Sequence, residues 1–139
     1  MFRKILLAVD GSAHSDLAAD YAAGLTAAFK AKLFIVHAYP QTSDLLGYDD
    51  FERLVARRKS SGQAILDEVR ARLATDEVAI DEELLEGPEA EAILATAASR
   101  RVDLIIMGTR GLGTIEGMLF GSVSRKVSQH ATCPVLLIR

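Results

Sequence analysis

Cysteine occurs once, at Cys133, so no intramolecular disulfide can form. It stands just ahead of an apolar run and reads as a buried, inert thiol rather than a nucleophile. Basic residues form no block and the formal net charge is −3, which argues against nucleic acid or an anionic membrane surface as partner. No apolar run approaches the length needed to cross a bilayer. At the start, Arg3 and Lys4 precede a run from Ile5 to Val9 that ends at Asp10; this is not the form of a signal peptide, and a cytoplasmic protein is expected. No glycine is followed by lysine, which excludes the P-loop. No spacing of His, Cys, Asp and Glu suggests a metal site of the protein's own. Internal repeats and breaks in composition are also missing. What is present is 139 residues, half hydrophobic and a quarter charged. That balance fits one globular domain over 1–139, large enough to hold a core without cross-links.

Four short apolar runs stand out: Ile5 to Val9, Leu33 to Val36, Leu104 to Met107 and Val135 to Ile138. None alternates with period two, which is the pattern of parallel strands covered by helices on both faces. A fifth run, Val78 to Ile80 followed by Leu84 and Leu85, is diluted by acids and reads as an edge strand. Helical patterns lie between the runs. Leu17, Tyr21, Leu25 and Ala28/Phe29 form one stripe, with Ser12 or Ser15 as N-cap. Phe51, Leu54/Val55, Arg58, Gly62, Ile65/Leu66, Val69 and Leu73 form a second. A third helix opens at Gly87-Pro88 and carries Ile93, Leu94, Ala97 and Ala98. A fourth runs from about Ser122 to His130, with Val123 and Val127 inward and Pro134 preventing its continuation.

Strict βα alternation predicts an α/β, Rossmann-like, doubly wound domain: a five-stranded parallel sheet in the order 3-2-1-4-5 with helices on both faces. Ligands of such sheets bind beyond the carboxyl ends of the strands at the switch point, here between the first and fourth strands. The residues following Val9, Val36 and Met107 are therefore the ones of interest. Two connections are long, Tyr39 to Asp50 and Gly108 to Gly121; loops of that length tend to be functional, and the first has the composition of a lid.

Half of the chain's ten glycines fall between Gly108 and Gly121. Glycine permits positive φ and removes the side chain that would hold a phosphate away from the amides. Gly121-Ser122 then opens a helix whose free N–H groups and dipole favour an anion. Ser122 and Ser124 add hydroxyls, and Arg110 and Arg125 add charge. The dinucleotide fingerprint does not fit, because Glu116 stands where its third glycine belongs and the loop follows the fourth strand rather than the first.

The spacing Gly108-x2-Gly111-x9-Gly121-Ser122 resembles the G-2x-G-9x-G-[ST] motif of ATP-binding universal stress proteins. The resemblance extends over the whole chain: Lys4 to Ser12, Val36-His37-Ala38, Gly87-Pro88, Asp103 to Gly108 and His130 to Ile138 look like successive pieces of that family in order. It implies that Asp10 faces the nucleoside, that Ala8 floors the pocket and that Ala38 offers backbone groups to adenine. Gly108, Thr109, Arg110 and Gly111 would pass beneath the α- and β-phosphates, with Gly121, Ser122, Val123 and Ser124 around the outer ones. At Ala8 and Val9 the chain departs from members that carry proline or threonine there.

Other polar residues have plainer readings. Asp10 is also placed to cap the first helix. His37 reads as a shelf histidine with one satisfied nitrogen. His14 and His130 have no evident partner. Asp81, Glu82, Glu83 and Glu86 read as a solvated edge, and Arg57-Arg58-Lys59 as an exposed helix face. Lysine and acids for phosphoryl transfer are not in evidence, so no catalytic residue is assigned and hydrolysis is expected to be slow or absent. The expected function is an ATP-dependent sensor or interaction module in stress response, with any Mg²⁺ arriving on the nucleotide. A nucleotide-independent dimeric scaffold and a slow ATPase are the alternatives. A phosphoacceptor receiver domain would need clustered acids after the first strand, where only Asp10 stands. The apolar closing edge, Val135 to Ile138, predicts an antiparallel two-fold homodimer.

Overall fold

A computed structural model describes residues 1–43, 45, 47–73, 77–110 and 120–139. Nine elements alternate along the chain: β1 (Lys4–Ala8), α1 (Ala13–Phe29), β2 (Lys32–Tyr39), α2 (Tyr48–Arg72), β3 (Ala79–Glu86), α3 (Glu89–Arg100), β4 (Leu104–Gly108), α4 (Ser122–His130) and β5 (Val135–Ile138). The strands form one sheet in the order β3-β2-β1-β4-β5, and every neighbouring pair is parallel. This is the expected topology.

Why the strands read as continuous apolar runs is visible in their packing. Successive side chains of a strand point to opposite faces, and both faces here are covered. Ile5 and Leu7 of β1 join Leu33, Ile35, Leu104 and Ile106 in a core closed by α1 and α2. Leu6 and Ala8 join Phe34, Val36, Ile105 and Met107 in a second core closed by α3 and α4. Only β3 lacks a buried residue. It is an edge, and its acids are more than solvated: Asp81 pairs with Lys32 at 2.8 Å, Glu82 with Arg70 at 3.6 Å and Glu83 with Arg100 at 3.3 Å.

Helix α1 corrects the stripe expected for it. Leu17 and Tyr21 are 41% and 52% exposed, and Ala28 and Phe29 also face outward. The buried face is Ser15, Ala18, Ala19, Ala22 and Thr26, and of the expected stripe Leu25 is half-buried against the core. The reason is distance. A Cβ added to Gly108 would lie 2.7 Å from the His14 Cβ and 3.0 Å from its carbonyl carbon. With its first turn pressed so close to β4, the helix accommodates only small side chains on the sheet side. Its large residues serve elsewhere: Phe29 meets Phe2 edge-on, with ring centroids 5.1 Å apart. Ser12 is the N-cap, accepting from the Ser15 amide at 3.2 Å.

In α2 the expected stripe holds, with Gly62, Leu66 and Val69 buried. The basic group on it divides, however. Arg57 and Lys59 are exposed, whereas Arg58 is half-buried and donates to the chain after β2. In α3 the inward residues are Ala90, Ile93, Thr96 and Ala97, while Ala98 faces out. In α4 Val127 is fully buried and Val123 half-buried. Cys133 is half-buried against the second core, and burial pushes its thiol pKa up, in keeping with an inert thiol.

One carboxylate joins the two central strands at their entrance. Asp103 Oδ2 accepts from the backbone amides of Arg3 at 2.7 Å and Lys4 at 2.9 Å. Those two amides hold its pKa below the usual aspartate value. A lowered folded-state pKa contributes stability above the unfolded value of about 3.9, lost as pH falls through the folded value. Asp103→Asn is expected to cost roughly 1 kcal/mol at pH 7, kept small by solvent screening. Urea unfolding at pH 7 and in the acid range checks this: the gap to wild type should shrink in acid, and a gap independent of pH would contradict the assignment.

Candidate nucleotide-binding site

All helices of a right-handed parallel sheet begin near the carboxyl ends of the strands they follow. A cavity of about 460 Å³ opens there, within the range of small-ligand sites. Ten of the eleven residues expected from the sequence line it. Ala8 and Asp10 come from the end of β1, Ala38 from β2, and Gly108, Thr109 and Arg110 from β4. Gly121, Ser122, Val123 and Ser124 come from the start of α4. Gly111 lies outside the described residues.

At the centre, β1 passes into α1 through a short hydrogen-bonded turn. Asp10 Oδ1 accepts from the Ser12 amide at 2.9 Å, and the Asp10 amide donates to Ser15 Oγ at 3.1 Å. Between them Gly11 has φ +82°, a conformation that L side chains rarely adopt. Asp10 thus shapes the turn that leads into the helix and lines the cavity, while the cap itself is Ser12. Beside it, His37 Nδ1 lies 2.7 Å from the Val9 carbonyl oxygen. A carbonyl only accepts, so Nδ1 is the donor and carries a proton. This is the shelf histidine anticipated, 9% exposed and part of the cavity wall.

The far side is built by the return of the chain from α4 onto β4. The Thr109 carbonyl accepts from the Gly121 amide at 2.6 Å and from Ser124 Oγ at 2.7 Å, while the Thr109 amide donates to the Ile138 carbonyl at 2.8 Å. Ser124 therefore has its hydroxyl proton engaged in holding the loop's two ends together; what it offers the cavity is its amide. Ser122, by contrast, is exposed. The first N–H groups of α4 have no intrahelical acceptor, as at any helix start. No acid stands in its first turn.

The glycines at the described ends of the loop have reasons other than positive φ. Gly121, the N-cap, has φ −76° and ψ 165°, an extended conformation open to any residue. Gly108 is required by the approach of His14. Arg110 bears most directly on ligand chemistry. Its Nε is buried and has no hydrogen-bond partner among the described residues. A buried guanidinium donor beside a helix N-terminus suits an anionic oxygen.

Sequence reasoning did not assign the walls contributed by α2 and α3. Ile65, Ile93 and Glu89 reach the cavity from them, and Pro40 closes it after β2. Glu89 was within reach of a sequence argument, since it begins a helix at the carboxyl edge of the sheet. Ile65 was already on the inward stripe of α2, but periodicity does not say where along a helix the core ends and a cavity begins. Among the described residues no group of His, Cys, Asp or Glu could hold a metal ion, and no helix is long and apolar enough to cross a membrane.

The universal stress protein family model matches residues 1–139. The chain is 45% identical over 139 residues to the Thermus aquaticus "Universal stress protein in QAH/OAS sulfhydrylase 3'region", with all of both chains covered. Among solved structures, UspA from Lactobacillus plantarum superposes with a TM-score of 0.90 over 99% of this chain and 98% of its own; at 22% identity that likeness is one of fold. A universal stress protein in complex with cAMP has a TM-score of 0.74 and 31% identity, covering 99% of this chain and 97% of its own. With the sheet order, the switch-point cavity and these matches in agreement, the chain belongs to the universal stress protein family.

Proposed function

We propose that the cavity takes an adenine nucleotide, ATP in particular, and that the protein is a cytoplasmic, nucleotide-dependent sensor or interaction module in stress response. The observation that carries this reading is the convergence of Asp10, Arg110 and the described ends of the β4–α4 loop on one cavity. A family relative 31% identical to the chain holds cAMP, which supports the adenine nucleotide as ligand class. In this reading Ala8, Asp10 and Ala38 receive the nucleoside. Gly108, Thr109, Arg110 and Gly111 run beneath the inner phosphates, and Gly121 opens the turn from which the amides of Ser122, Val123 and Ser124 meet the outer ones. Mg²⁺ would be held by phosphate oxygens and water.

Binding is better supported than turnover. Near α4 the described cavity offers hydroxyls and amides but no lysine, and its acids, Asp10 and Glu89, lie at the starts of other helices. Mass spectrometry of natively purified protein should therefore release an adenine nucleotide on denaturation. Gly121→Glu should retain the fold, because the backbone there is extended, yet lose ATP binding by calorimetry as its carboxylate repels the phosphates. Wild-type affinity in that variant would sink the loop assignment. With Mg²⁺ and ATP, steady-state turnover is expected far below the ~10 s⁻¹ typical of enzymes. A robust rate abolished by changing Ser122 or Arg110 would make the protein an ATPase instead.

The second part of the proposal is a homodimer through β5. Val135, Leu136 and Leu137 are half-buried, and among the described residues β5 pairs only with β4. A short apolar edge without lysine or bulge invites a second copy, antiparallel about a two-fold axis. Leu137→Lys should then sediment as a monomer at a concentration where wild type is dimeric. Monomeric wild type at micromolar concentration would refute the interface, and a nucleotide-bearing monomer would leave the site reading intact.

A further inference from the structure

Helix α2 is 25 residues long, about 37 Å at 1.5 Å per residue. Its sheet-facing residues are Gly62, Leu66 and Val69. The approach at Gly62 is tight: an added Cβ would stand 2.7 Å from Leu84 Cδ1 and 2.9 Å from His37 Cδ2. One turn earlier on the same face, at i−4, comes Arg58. There the stripe turns to hydrogen bonding. Arg58 Nη1 reaches the Pro40 carbonyl at 3.1 Å, the Gln41 carbonyl at 3.0 Å and Thr42 Oγ1 at 2.9 Å.

These three acceptors belong to consecutive residues that follow β2 directly. Thr42 is buried although both its neighbours are exposed, which marks where the chain is drawn inward. Immediately before it, Tyr39 O accepts from the Gly87 amide at 2.7 Å, so the exit of β2 is held on one side by the β3–α3 turn and on the other by Arg58. Ala38 and Pro40, which line the cavity at this end, flank Tyr39, and the Pro40 carbonyl is itself held by Arg58. Arg58 itself does not line the cavity and forms no ion pair with an acid among the described residues. Its charge serves backbone oxygens.

We propose that Arg58 is a positioning residue for the base-binding end of the cavity: it fixes Pro40 to Thr42 so that the β2 exit is preformed for the adenine ring. The proposal rests on the nucleotide reading above and adds to it the group that sets the wall opposite the phosphates. It separates the two ends of the ligand. Loss of the guanidinium loosens the wall at the base and leaves the Thr109–Ser124 knot and the start of α4 as they are.

The test compares wild type, Arg58→Ala and Arg58→Lys in three measurements. Free-protein hydrogen exchange should quicken at the Gln41 to Ser43 amides in Arg58→Ala. ATP binding should weaken about tenfold, the order of one charge-assisted hydrogen bond. The concentration of inorganic tripolyphosphate that halves ATP-analogue loading, corrected for the analogue's own affinity, should change by less than about twofold. Arg58→Lys, whose ammonium can still donate to carbonyls, should recover part of the ATP affinity. Equal weakening towards ATP and tripolyphosphate would mean a general structural role and overturns the proposal, as does unchanged ATP affinity or unchanged exchange. A wild-type protein that binds no adenine nucleotide removes the nucleotide reading itself, a result distinct from the others because the exchange measurement needs no ligand.

Discussion

The Thr109 carbonyl oxygen holds together the part of the molecule on which the site depends. It accepts from the Gly121 amide and from Ser124 Oγ, while the amide of the same residue donates to Ile138. Three separate stretches of chain, the ends of β4 and β5 and the start of α4, are thereby tied through the backbone of one residue. Without that tie the loop from Gly108 to Gly121 would still connect β4 to α4, but nothing would aim the helix start at the cavity. A buried backbone group needs a partner, and here the requirement is met in a way that also orients the helix.

Much of this architecture was legible in the sequence, for reasons that differ between elements. Strands β1, β2 and β4 are buried on both faces and β5 is half-buried, so burial imposes apolar runs that mark these strands, although β2 continues from Val36 to Tyr39. Strand β3 read more weakly because one side of it is open and its acids meet cations supplied by β2, α2 and α3. The inward face of α1 was not legible. Hydrophobicity ranks leucine and tyrosine above alanine, but at a helix pressed against Gly108 the limiting quantity is volume. A pattern of large apolar residues marks the inner face only where there is room for them.

The site shows the same division. Residues assigned by motif spacing and topology, from Asp10 to Ser124, converge on the cavity because the loop ends and the strand ends share one edge of the sheet. Ser124 illustrates what spacing leaves out: its hydroxyl looks like a donor to a ligand, yet in the folded chain it is turned back to Thr109. Arg58 illustrates the opposite case. In a run of three cations it resembles its neighbours, and only the geometry after β2 distinguishes the one that is half-buried from the two that face solvent.

The unlike character of the two sheet edges bears on polymerisation. A sheet with two receptive borders can add copies at both and grow without limit, the route to fibrils. Here one border is short and apolar, while the other presents Asp81, Glu82 and Glu83, each balanced by an exposed cation of its own chain. Bringing two such borders together would set identical charges face to face and strip water from several ion pairs at once, a desolvation that their mutual attraction does not repay. Growth along the hydrogen-bonding direction is therefore disfavoured at β3, and an assembly built through the opposite border would be closed rather than open-ended.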